Sequence, residues 1–129
     1  MKYLKLLFLI SFFSCSFSPI NHIEKFSGLS LKNNFISIKD TSQWVDFNGN
    51  GFRLIVLKPE NQAAFHSIIN EAKHLNYKNF DAREFTHSEM APYIKNGKGY
   101  YKYSWQNDEI QSIVIDTINS KIVYYLSIQ

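Results

Sequence analysis

The sequence predicts an α+β fold in which one amphipathic helix packs on an antiparallel sheet, built as an N-terminal hairpin, the helix and a C-terminal three-stranded meander. Three observations predict it. Two β-rich arms flank Asn48-Gly49-Asn50-Gly51, and Asn-Gly pairs readily take the positive φ angles of tight hairpin turns. Phe65, Ile68, Ile69, Ala72 and Leu75 recur at spacings of three and four, which places them on one stripe of a helix. Near the end of the chain Ile122, Tyr124, Leu126 and Ile128 alternate with their neighbours, the period of a strand with one face on the core.

Each element follows in order. Ile36 and Ile38 alternate with Ser37 and suggest a short strand over residues 35–39. The second hairpin arm, residues 52–57, is nearly continuous in apolar and β-branched residues, so it is expected to lie centrally in the sheet. Pro59 stands where a helix could begin, since its missing N–H costs nothing in a first turn. The helix is expected over residues 60–75, with Gln62, His66, Asn70, Lys73 and His74 on its wet face. Asn76 stops it, and a long connection with one short strand near residues 80–85 leads to the meander. Polar turns at Gln106-Asn107-Asp108 and Asn119-Ser120 separate its three strands. That order resembles the cystatin-like helix-on-sheet architecture, a likeness of fold and not of function.

The first residues are read as a processing segment and are excluded from the fold. Lys2 and Lys5 form a basic front, an apolar run covers residues 6–13, and small Ser14 and Ser16 flank Cys15, the one cysteine in the chain. The run is too short for a membrane core that needs about 20 helical residues. Residues 1–16 resemble a bacterial lipoprotein signal peptide, with Ser14 before the cysteine and apolar Phe12 at the third position back. That resemblance implies lipidation at Cys15 and a membrane anchor; the other reading is ordinary cleavage after Ser16, which would leave a secreted or periplasmic soluble protein. Residues 1–15 are thus a lipoprotein-type signal peptide, 16–34 a tether or partly ordered N-terminal segment, and 35–129 a single α+β domain. Either cleavage leaves no cysteine for a disulfide, so stability must come from packing.

Of the 14 Lys and Arg residues two lie in the leader, leaving 12 against 11 Asp and Glu. No case for nucleic acid survives that balance, and the basic residues form no stripe. The sharpest motif, Asp46-Phe47-Asn48-Gly49-Asn50-Gly51, matches the first half of a calcium loop, so Asp46, Asn48 and Asn50 are weak metal candidates. Its twelfth position is Leu57 where a bidentate carboxylate is required, and a hairpin turn explains the same residues without metal. His66 and His74 lie about 12 Å apart along the helix, too far to share one ion. No serine sits in a nucleophile elbow, and the glycines of "KNGKGYY" lead into a strand where a phosphate cradle would open a helix. No cofactor is expected.

The remaining feature is the aromatic strand "GYYKYSW". Period two divides Tyr101, Tyr103 and Trp105 from Tyr100 and Lys102. The first set is expected to face the core, because the other orientation would bury the Lys102 charge. Tyr100 and Lys102 are then the candidate binding surface. The expected function is that of a small cell-envelope lipoprotein, lipid-anchored and acting by binding an envelope protein in the manner of an inhibitor or immunity protein. A small-ligand or sugar-binding domain is the alternative, and a hydrolytic enzyme comes third.

Overall fold

The computed structural model describes residues 19–44, 49–84 and 89–129. Among the described residues the order differs from the expected hairpin, helix and three-stranded meander: a helix precedes the hairpin, a second helix follows it, and four more strands come after, all six strands forming one sheet. The elements are α1 (Pro19–Ser27), β1 (Phe35–Trp44), β2 (Gly51–Pro59), α2 (Gln62–His74), β3 (Lys78–Asp81), β4 (Lys98–Gln106), β5 (Glu109–Asp116) and β6 (Lys121–Ile128). Their spatial order is β1-β2-β6-β5-β4-β3, with every neighbouring pair antiparallel. Hairpin and meander are therefore halves of a single sheet, stitched by β2 against β6.

The helix that overturns the expected order is nine residues long and starts on a proline. So short a helix does not hold itself in water. It exists because it is docked: Ile23 is fully buried, Leu29 and Leu31 follow it into the core, and Phe26 packs on the ring of Tyr124. Its last carbonyls are satisfied from afar, by the Tyr77 hydroxyl donating to Ser27 O at 2.7 Å and the Lys102 ammonium donating to Phe26 O at 2.7 Å. Glu24 accepts from Leu31 N, and Glu71 on α2 accepts from Ser30 N. The later part of the 16–34 segment thus contributes Ile23, Leu29 and Leu31 to the core.

α2 begins one turn later than Pro59, which is the last residue of β2. Asn61 caps it by accepting from Ala64 N at 2.8 Å. Ala64, Phe65, Ile68 and Ala72 face inward, while Leu75, expected on the same stripe, is 47% exposed past the helix end.

Both faces of the central strands are buried. Ile55, Leu57, Ile113, Ile115, Ile122, Tyr124 and Leu126 meet the two helices. On the opposite face Leu54, Val56, Val114, Val123 and Tyr125 meet Phe80, Met90 and Ile94, carried by β3 and the β3–β4 connection. A strand covered on both sides has no polar face to show, which is why "LIVL" and "IVYYL" run apolar without a break. β3, expected near residues 80–85, is four residues long and ends at Asp81.

Candidate functional site

β4 presents its outer edge to β3, but the two strands differ in length by more than half. β3 has four residues and β4 has nine. Pairing runs from Asp81 with Lys98 to Lys78 with Tyr101, and there it stops. The chain leaves the sheet because the preceding residues are the end of α2 and Asn76, which turns it in the left-handed region at φ 59°. Past Tyr101, β4 is an edge strand as far as its hairpin with β5.

Hydrogen bonding along β4 alternates sides. Thr117 N donates to Lys98 O on the β5 side, whereas Ala82 N donates to Gly97 O on the β3 side. Continuing that period, Gly99, Tyr101, Tyr103 and Trp105 direct their backbone groups outward, away from β5. Gly99 and Tyr101 meet Phe80 and Lys78. Among the described residues no strand pairs with Tyr103 or Trp105 on that side.

Their side chains are also open. Trp105 is 66% exposed and Tyr103 49%. Register places Trp105 beside Ile110, then Ser127 and Phe52, so three apolar side chains and one serine form a row across the sheet from the edge. A groove of about 320 Å³ opens where β3 stops, lined by Leu75, Tyr77, Lys78, Lys102 and Tyr103 among others, with two lysines and no carboxylate. A larger hollow of about 520 Å³ lies by Arg83 and Lys95 under the β3–β4 connection. There Arg83 is held by Asp81 through two side-chain hydrogen bonds, which keep the Asp81 carboxyl at about 2.

The orientation expected for β4 is reversed. Tyr100 and Lys102 pair with Ile115 and Ile113, both on the helix face. Tyr100 is half-buried against that core, and Lys102 reaches the end of α1, its ammonium 5.0 Å from the centre of the Phe26 ring. The expectation that Lys102 must face away from the core assumed a buried, unpaired charge. The side chain instead runs to the rim, where its head stays exposed and finds a helix C-terminal carbonyl. Tyr101 faces the second core, and Tyr103 and Trp105, assigned to the interior by sequence, stand outside it. The available signal was the shortness of any strand before β4, which left its far end without cover.

Cys15, Asp46 and Asn48 lie outside the described residues; Asn50 is half-buried beside the β1–β2 turn. Among the described residues no three His, Cys, Asp or Glu side chains group as a metal site. His66 is exposed, His74 Nδ1 bonds Asn70 O at 2.8 Å, and His22 meets the edge of Tyr124. Burial raises the hydroxyl pKa of Tyr77 and of Tyr124, which hydrogen-bond Ser27 O and Gln111 Oε1; both are structural phenols. Among the described residues no helix is long and apolar enough to cross a membrane. No protein-family model, curated protein or solved structure matches the chain.

Proposed function

We propose that this chain is a cell-envelope lipoprotein, anchored through Cys15, that acts by binding another protein at the open end of β4, as an inhibitor or immunity protein would. The observation that carries the binding half is the exposure of Trp105 at 66% and Tyr103 at 49% on the half of β4 whose outer edge pairs with no described strand. Large aromatic side chains supply contact area at low entropic cost. Neither ring belongs to a core cluster.

The anchor half rests on the leader. Only residues 16–18 separate Cys15 from α1, a link of about 14 Å at full extension. A lipid on Cys15 would hold the domain against the bilayer surface.

A small-ligand or sugar reading would use the groove at Tyr77 and Tyr103. Its volume reaches the lower end of ligand sites, but Trp105 lies outside its lining, and a flat open edge suits a protein surface better.

The test is capture from envelope extract by the tagged chain, with the double change Tyr103→Ala and Trp105→Ala. Loss of a captured partner with an unchanged melt supports the reading. Mass spectrometry of the mature N-terminus examines the anchor: an unmodified chain beginning at Phe17 rules it out.

A further inference from the structure

Edge strands invite pairing, and proteins commonly blunt them with a bulge, a charge or a cover. The other edge of this sheet is treated so: β1 carries a register shift between Ser37 and Lys39, and Lys39 and Asp40 follow at once. The open half of β4 has no such device. From Tyr103 to Gln106 it runs in unbroken register with β5, without proline or a charged side chain. The only lysine nearby on the strand, Lys102, lies on the opposite face and is engaged with Phe26 O.

Resting on the binding role just proposed, we infer that this half-edge receives an extended segment of the partner as an added strand, collinear with β3. The backbone N–H and C=O groups of Tyr103 and Trp105 bond the guest. Their rings flank its side chains on the face shared with Ile110 and Phe52. The occupant is acidic at the end that meets the groove, because exposed Lys78 lines that groove and no carboxylate does, while Lys102, held by Phe26 O, adds its charge from the other face. Backbone bonds supply affinity in such additions, and side-chain contacts supply selectivity.

The probes are short fluorescent peptides of alternating Thr and Val bearing two Glu residues at one end or the other. Controls carry Lys in place of Glu, or are N-methylated at alternate amides to remove their donors. Binding is followed by anisotropy, and hydrogen exchange of the Tyr103 and Trp105 amides by NMR. One Glu peptide is expected to bind and to slow both amides. Either register of N-methylation that blocks the pairing edge should weaken it by about tenfold or more, the loss of roughly one net hydrogen bond or more. Lys78→Glu, at an exposed position, should fold normally and shift preference to the Lys peptide. Strand addition is overturned if no Glu peptide binds, if both N-methylated registers bind like the parent, or if the two amides already exchange slowly in the free protein. Should capture from extract still depend on Tyr103 and Trp105 in that case, contact is by side chains and the binding role stands. Should capture ignore both residues, the role itself fails.

Discussion

The ammonium of Lys102, on β4, donates to the carbonyl of Phe26, at the end of α1, across 76 positions of sequence. With the Tyr77 hydroxyl on Ser27 O it closes a helix that lacks the length to close itself. The N-terminal segment is thus tied to the strand that carries the open edge.

Replacing that cation by an apolar chain of similar length tests the tie. Lys102→Met should cost about 0.5–1 kcal/mol, the worth of a solvent-screened charge at a helix C-terminus. Amide exchange should quicken in α1 while β5 and β6 stay protected. Uniform loss of protection through the sheet would show that α1 is no separable unit.

The two faces of β4 are expected to answer substitution in opposite ways. Trp105→Ala should lie within about 0.5–1 kcal/mol of the parent in urea unfolding, since most of its ring is already in water. Tyr100→Ala should cost about 2 kcal/mol or more, because its ring packs on the helix-side core. A larger loss at Trp105 than at Tyr100 would contradict the face assignment.

Gly99 is a steric requirement of the β4–β5 ladder. It takes φ 152°, and a Cβ there would run into the carbonyl oxygen of Ile115. Gly99→Ala should cost about 2 kcal/mol or more and broaden the NMR signals of β3, β4 and β5. A melt equal to the parent would mean that β4 can shift sideways at no cost.

Asp81 provides a pH signature. Hydrogen bonds from the Arg83 side chain and backbone N–H hold its carboxyl at about 2, below the ordinary 3.8. A carboxyl depressed in the folded state adds stability that is fully present above its unfolded value and is lost as pH falls through the folded one. Its contribution should therefore fade between about pH 4 and pH 2. NMR titration of the Asp81 carboxyl carbon should find the low midpoint, and Arg83→Ala should return it towards the ordinary value. A midpoint that ignores Arg83 would refute the pairing.

Where the apolar period is long and one-sided, sequence exposes the element: α2 falls within residues 60–75, and the β4, β5 and β6 strands lie where their alternation puts them. α1 was hidden because Pro19, Asn21 and Ser27 read as turn formers. Its signal was the three-residue spacing of Ile20, Ile23 and Phe26. The join of hairpin and meander was hidden for another reason. Local patterns describe strands, while the pairing of β2 with β6 is a contact between residues more than 60 apart. The open site was misread because the charge of Lys102 was taken to fix the outer face of β4, whereas its long side chain reaches the rim and bonds Phe26 O. The partners Ile113 and Ile115 identify the helix face, and they are known only once the register is.

The pairing of β6 also governs when this molecule can come into being. It lies between β2 and β5, and Ile128 bonds into the rows of both Gly51 and Glu109. Until β6 is made, the β1–β2 pair and the β4–β5 pair cannot join into one sheet, and the helices lack part of the layer they cover. Joining the two hairpins is therefore a long-range step, of the kind that slows folding.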